Sequence, residues 1–180
     1  MSLEDLLHTT NSRLIRLSED SEILPFESED KDLNDFLLND AKNYLASMLA
    51  VTYAIQTDNE TIAYFCLSND NLTKKDGEKS VWNKVNRTIP NEKRRRTYPA
   101  VKIGRLAVSK KYARMGFGKL IIESVIAMYI DGKQRAGCRF VTVDAYRQAL
   151  PFYEKNDFHY LTEKDNDEDT RAMYFDLKAI

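Results

Sequence analysis

The sequence predicts a single α/β domain over residues 1–180, with strands and helices alternating along the chain. Two observations carry this. At 180 residues the chain can bury one sizeable core, whereas two independent domains would each be small. Short apolar runs of strand length also recur between stretches with helical spacing. Hydrophobic residues make up 43% of the chain, which argues against disorder, and charged residues make up 31%, which gives a well-solvated surface.

Arg13 to Leu17 reads as a first short strand. Asp30 or Asp32 then offers an N-cap to a helix with Leu33, Phe36, Leu37, Ala41 and Tyr44 on one face. Leu49–Gln56 and Thr61–Leu67 are rich in β-branched and aromatic residues, and Asp58-Asn59 between them supplies turn chemistry, so an antiparallel hairpin follows. After Asn69 comes a polar stretch with a short helix around Lys79 to Val85, then Lys93-Arg94-Arg95-Arg96 and Pro99. Ala100–Val108 reads as an apolar strand, followed by a glycine-bearing loop and a helix with Ile121, Ile122, Val125, Ile126 and Tyr129 in register. Gly132 is expected to stop that helix. Cys138–Val143 reads as a strand, Ala149–Lys155 as a short helix and Met173–Leu177 as a last strand.

Composition limits the function classes. No apolar run approaches the roughly 20 residues that cross a bilayer, and Met1 to Arg16 has no signal-peptide pattern, so a cytoplasmic protein without membrane contact is expected. Cys66 and Cys138 sit in apolar runs without a CxxC or Cys/His cluster, which predicts buried free thiols and no metal. His8 and His159 lack partners at metal-ligand or triad spacing. A net charge of -1 gives no global attraction to polyanions, leaving only local bias: Lys93–Arg96 is basic and Glu163–Asp169 mostly acidic, and a solvated loop is the ordinary reading of each.

The chemistry concentrates at Arg114-Met115-Gly116-Phe117-Gly118-Lys119. A phosphate-binding loop needs consecutive backbone N–H groups that converge on one point, and glycine permits this by tolerating positive φ. The helix beginning at Phe117 to Leu120 would turn its unsatisfied N–H groups and positive dipole end to the same anion, with Arg114 and Lys119 adding charge. A GxG alone is equally a tight strand-to-helix turn.

The surrounding residues are more specific. Gly104-Arg105-Leu106-Ala107-Val108, then Tyr112 to Leu120, then Ala149-Leu150-Pro151-Phe152-Tyr153-Glu154-Lys155-Asn156-Asp157-Phe158 resemble, in order and spacing, the central strand, acetyl-CoA loop and AxxFYEKxGF signature of the GNAT acetyltransferase superfamily. The resemblance spans about Ile15 to Leu177. It implies a mixed, mostly antiparallel sheet splayed at its centre and flanked by helices. It also implies an acetyl-CoA-dependent N-acyltransferase, with the cofactor held by Leu106, Ala107, Val108, Arg114, Met115, Gly116, Phe117, Gly118 and Lys119. Ile103–Val108 would part from Phe140–Val143 to admit the pantetheine arm, which would pair with the backbone of Leu106 and Val108. Two positions depart from the pattern: Ala113 stands where Gln or Arg is usual, and Asp157 where Gly is usual. Asp tolerates the left-handed conformation better than most residues.

The resemblance also makes Tyr153 the catalytic candidate. A phenol with a pKa near 10 is protonated at neutral pH and can supply the proton a leaving thiolate needs. The alternative is an aromatic core residue, as Phe152 is expected to be. Glu27, Asp70 and Asp144 are candidates for a base that deprotonates the attacking amine, and each also reads as a solvated carboxylate.

A narrower resemblance bears on the acceptor. Phe26, Leu33-Asn34-Asp35-Phe36-Leu37, Ala41 and Tyr98-Pro99 look like the GNAT branch whose toxins acetylate the amino acid of aminoacyl-tRNA, although the usual FxCG reads Phe26-Glu27-Ser28-Glu29. Lys84, Arg87, Lys93–Arg96, Lys110 and Lys111 would then rim the acceptor site for tRNA. Three readings stay open: an acetyltransferase for a small-molecule or protein amine, an aminoacyl-tRNA acetyltransferase, and a module that binds acyl-CoA without turnover. The oligomeric state and an antitoxin partner also stay open.

Overall fold

A computed structural model describes residues 2–74, 77–87, 89–131 and 136–179. The strands form a seven-stranded sheet in the order β1-β2-β3-β4-β5-β7-β6, and the chain divides into two compact units that share β3 and β4. The first comprises Met1–Ser68 and Ile103–Val125, the second Asn69–Lys102 and Ile126–Ile180. The expected stop at Gly132 lies outside the described residues.

In the first unit a capped helix, α1 (Leu3–Thr9), precedes β1 (Arg13–Arg16), which pairs antiparallel with β2 (Val51–Gln56). The expected hairpin forms: β2 pairs antiparallel with β3 (Thr61–Thr73) from Val51↔Leu67 to Gln56↔Thr61. Its turn closes through Thr57, whose hydroxyl accepts from the Asn59 and Glu60 amides. Asp30 is the N-cap of α2 (Lys31–Asp35), its carboxylate accepting from the Asp32 and Leu33 amides. The single expected helix is instead α2, a π-helical turn over Phe36–Asp40, and α3 (Ala41–Ala46). The Ala41 amide reaches the Phe36 carbonyl, five residues back. Phe36, Leu37 and Ala41 are buried as the spacing predicts, whereas Tyr44 is 40% exposed. Helices this short are marginal alone, and burial of these side chains among Leu17, Phe26, Ala54, Tyr64 and Ala107 holds them.

The second half of β4 (Thr97–Val108) leads through the loop to α5 (Phe117–Ile130). Phe117, Leu120, Ile121, Ile122 and Val125 of α5 are buried, while Ile126 is only partly covered.

The second unit holds a separate core of Leu72, Trp82, Val85, Tyr98, Ala100, Phe140, Leu161 and Tyr174. Strand β3 continues to Thr73, past the expected end at Leu67, although Ser68-Asn69-Asp70-Asn71 has poor strand propensity. Burial of Leu72 overrides that preference. Helix α4 (Lys79–Arg87) buries Trp82 and Val85. Strand β5 (Phe140–Tyr146) pairs parallel with β4 and antiparallel with β7 (Thr170–Asp176), and β6 (His159–Tyr160) caps the edge. Cys138 departs from expectation: it precedes β5 in irregular chain and is half-buried, its thiol donating to the Phe140 carbonyl. Cys66 is buried as expected.

The acidic stretch 163–169 is not simply a solvated loop. Asp165 is buried, and its carboxylate accepts from Arg171 Nε at 3.1 Å and from the Ala172 amide at 2.7 Å. Arg171 also donates to the Thr162 carbonyl and lies 4.0 Å over the Tyr160 ring. A buried charge is tolerated when it is paired and hydrogen-bonded in this way.

Candidate active site

In the first unit the chain leaves β4 at Ser109 and makes a 3-10 turn over Lys110–Tyr112. Three backbone bonds fix this turn: Ser109 N–H to the Ile62 carbonyl, Lys110 N–H to the Glu27 carbonyl and Tyr112 N–H to the Ser109 carbonyl. Glu60, at the tip of the β2–β3 hairpin, accepts from Lys111 Nζ at 2.5 Å and from the Tyr112 hydroxyl at 2.7 Å. The Tyr112 ring meets the edge of Phe117, which is buried. Both ends of the glycine loop are thereby held.

Between those anchors Arg114 adopts φ 65° and Gly116 φ 96°. A Cβ on Gly116 would meet nothing within 4 Å, so glycine is required there by conformation and not by space. Arg114 takes a left-handed conformation rare for its type, which costs of order 1 kcal/mol or more and persists because the anchored ends demand it. Alternating positive φ turns neighbouring amides toward one side, a geometry that cradles anions. The N–H groups of Arg114, Gly116, Phe117, Gly118 and Lys119 make no hydrogen bond among the described residues, and the first bond of α5 runs from Leu120 to Gly116. The loop thus holds five unsatisfied donors at the positive end of a 14-residue helix. Lys119 pairs with Glu123 at 3.6 Å, an exposed contact weak enough to be redirected. Arg114 and Met115 are exposed. Upstream, Ala107 points into the core while Leu106 and Val108 share the other, half-buried face of β4. Gly104 lets β4 approach β3 closely, since a Cβ there would lie 3.1 Å from Cys66 Sγ.

In the second unit β4 pairs with β5 at Ala100↔Phe140, Val101↔Val141 and Lys102↔Thr142. This corrects the expected bounds of the parting, because Phe140 to Thr142 are joined to β4 by these pairs. The Thr142 hydroxyl donates to the Asp70 carboxylate, with the Val101 carbonyl 3.4 Å away. Asp144 pairs with Lys102, and in the first unit Glu27 pairs with Lys110 at 3.3 Å, so each of the three candidate bases has a partner.

Tyr153 lies on α6 (Leu150–Glu154), which starts at Leu150-Pro151 as a proline near a helix N-terminus favours. It is 6% exposed, and the edges of Phe152 and Phe158 meet its ring at 5.1 and 5.3 Å. Burial pushes its hydroxyl above the usual tyrosine range, so it carries its proton throughout the neutral range. No hydrogen bond engages that hydroxyl among the described residues. The end of α6 explains why Asp157 replaces glycine without damage. Asp157 has φ 62°, its N–H reaches the Glu154 carbonyl, and the Phe158 N–H reaches the Tyr153 carbonyl, the paired bonds of a left-handed helix C-cap.

The expected basic rim divides. Lys110 and Lys111 are neutralised by Glu27 and Glu60. Lys84, Arg87 and Lys93–Arg96 are exposed in the second unit. His8 and His159 are exposed, and among the described residues no group of three metal-ligating side chains occurs. Nor is any described helix long and apolar enough to cross a membrane.

Residues 89–176 match the model of the acetyltransferase (GNAT) domain family. This segment is a GNAT acetyltransferase domain. It contains β4, the glycine loop, α5, β5 and Tyr153, and its family chemistry is N-acetyl transfer. No curated protein matches the chain. Among solved structures, a tyrosine-to-phenylalanine mutant of KacT is 20% identical over 93% of this chain and 96% of its own, with TM-score 0.76. AtaT complexed with acetyl-methionyl-tRNAfMet is 18% identical over 93% and 96%, with TM-score 0.76. AtaTR bound with AcCoA is 18% identical over 93% and 95%, with TM-score 0.73. At these identities the likeness establishes the GNAT fold.

Sequence reasoning missed Glu60, whose partner Lys111 is 51 residues away, because no local pattern links them. The hydrogen bonds from Lys111, then Tyr112, hold its carboxyl below the ordinary value of 4.5. Its folded value is depressed, so this anchoring is present above the unfolded value and is lost as pH falls through the folded one. Glu60→Gln should speed amide hydrogen exchange at 110–113 by up to about fivefold at neutral pH, the range of an exposed ion pair. Unchanged exchange would leave the backbone bonds as the sole anchors.

Proposed function

We propose that the chain transfers an acetyl group from acetyl-CoA to a primary amine by direct attack. The observation that carries this reading is the set of five unbonded amides, those of Arg114, Gly116, Phe117, Gly118 and Lys119, within the segment that matches the acetyltransferase family. Their number, their place at the start of α5 and the open space at Gly116 fit a pyrophosphate. Acetyl-CoA supplies an activated acyl thioester. The amides of Gly116, Phe117, Gly118 and Lys119 hold its pyrophosphate, with Arg114 and Lys119 contributing charge and Met115 covering the loop. The backbone of Leu106, Ala107 and Val108 aligns the pantetheine arm. An N–H of that strand, aimed at the carbonyl oxygen, is worth about 3 kcal/mol as negative charge develops there. As the amine nitrogen bonds to the acyl carbon and the C–S bond breaks, the Tyr153 hydroxyl gives its proton to the departing sulfur. The proton lost by the amine passes to solvent, and solvent returns one proton to the tyrosinate to restore the phenol. The whole chain, 1–180, works as one domain in this reading.

The test is transfer of labelled acetyl from acetyl-CoA to a panel of amines, together with thermal shift. A ligand present at 100 times its Kd stabilises the folded state by about 2.7 kcal/mol. Absence of a shift with both acetyl-CoA and CoA would overturn the reading.

A second reading, acetylation of the amino acid on aminoacyl-tRNA, is supported by the fold likeness to AtaT, solved with acetyl-methionyl-tRNAfMet, and by the exposed cations of the second unit. It is separated from the first by the product: acetylated aminoacyl-tRNA, with free amines left unmodified.

A further inference from the structure

A cavity of about 600 Å³ lies within the second unit, walled by Lys74, Lys79, Trp82, Arg94, Arg95 and Arg96. Five of its nine lining residues are cationic, the others being Trp82, Gly77 and two asparagines. Among the described residues no carboxylate lines it, and none of the five cations is ion-paired. Like charges gathered in a concave wall repel one another and raise the local concentration of anions.

The wall is also built, not loose. Arg94 Nε donates to the Ile89 carbonyl and a terminal nitrogen donates to the Asn86 carbonyl, both at 3.2 Å, which sets the guanidinium in place. The Asn86 side-chain oxygen accepts from the Tyr98 hydroxyl at 2.8 Å, and that hydroxyl accepts from the Arg95 amide at 3.0 Å. The Tyr98 ring stacks on Trp82 at 5.4 Å, and both rings are buried. The Lys74 amide donates to the Arg96 carbonyl, tying the end of β3 to the arginine run. The arginine backbone is thus held to a rigid aromatic floor.

We propose that this cavity is a second anion site, for a ligand that carries two or more adjacent phosphates. One monoanion leaves most of the five cations unneutralised, whereas a phosphate run engages several at once through charge-assisted hydrogen bonds. The phosphates belong either to a small polyphosphate, such as a nucleoside triphosphate, or to the backbone of an RNA. The site shares no residue with the Arg114–Lys119 loop and does not depend on acyl transfer.

Trp82 is the chain's one tryptophan, so its fluorescence reports on the cavity. The full chain is titrated with inorganic tripolyphosphate and, separately, with bulk tRNA, at two salt concentrations. A saturable, salt-sensitive change is expected. Arg95→Ala combined with Arg96→Ala, both at exposed positions, should weaken it about tenfold or more, and Arg95→Lys with Arg96→Lys should retain part of it. A response to tripolyphosphate identifies a small polyphosphate ligand, and a response to tRNA alone identifies an RNA backbone. Gly116→Glu should leave either response intact. The proposal is overturned if neither probe gives a saturable change, if the double alanine variant binds like wild type, or if Gly116→Glu abolishes the signal. Acetyl-CoA thermal shift on the same samples reports on the cofactor loop separately.

Discussion

Tyr153→Phe should lower kcat by about 10²- to 10⁴-fold, the usual worth of a positioned general acid, with little change in KM for acetyl-CoA. The substitution removes one oxygen and keeps the ring that Phe152 and Phe158 flank, so the fold should survive with an unchanged melting temperature. No hydrogen bond to the hydroxyl is lost among the described residues. The pH profile gives an independent check. Burial raises the Tyr153 hydroxyl above its ordinary value of 10, so an alkaline loss of activity due to this group should begin only beyond that value. A variant that acetylates a confirmed amine at the wild-type rate would demote Tyr153 to a packing residue, with water protonating the thiolate.

Gly116→Glu should abolish binding of acetyl-CoA. Two effects act in the same direction. At φ 96° a side chain is strained even though the space beside Gly116 is open, so the loop must shift and displace the unbonded amides that follow it. The carboxylate would also occupy the place proposed for the pyrophosphate, beside the same unbonded amides. The thermal shift seen with wild type at saturating acetyl-CoA should vanish, while circular dichroism stays native. Gly116→Ala separates the two effects, because it keeps the strain without the charge and should bind with intermediate affinity. A full shift in Gly116→Glu would mean that the pyrophosphate lies elsewhere.

Much of this was legible in the sequence because it is local. The β2–β3 hairpin announced itself through Asp58-Asn59 between two β-rich runs, and Asp30 through its capping chemistry. The loop was legible for the same reason: Gly116 and Gly118 sit between an apolar strand and a helix with clean spacing. Asp157 kept its left-handed conformation where glycine was expected, since the helix C-cap bonds of α6 run through the backbone. What escaped was tertiary. The extension of β3 to Thr73 follows from the burial of Leu72, and Asp70 meets Thr142 across 72 residues. Arg171 fastens Asp165 inside a stretch that composition alone assigns to solvent. The cavity at Trp82 likewise combines the end of β3, α4 and the arginine run, three segments whose meeting no periodicity records.

The π-helical turn at Phe36–Asp40 carries a historical consequence. Such a turn spends one residue more than an α-helical turn, and each residue of an α-helix advances the side chain by about 100°. Everything after Ala41 is therefore rotated relative to a helix without the extra residue, and Tyr44, seven residues beyond the buried Leu37, is 40% exposed. A lineage that gained or lost one codon between Phe36 and Ala41 would keep Phe36 packed beneath the helix while presenting a different stripe of α3 to the outside. Tyr44, Met48 and Leu49, the exposed apolar residues that follow the turn, would be re-aimed together by a single event, with no substitution among them.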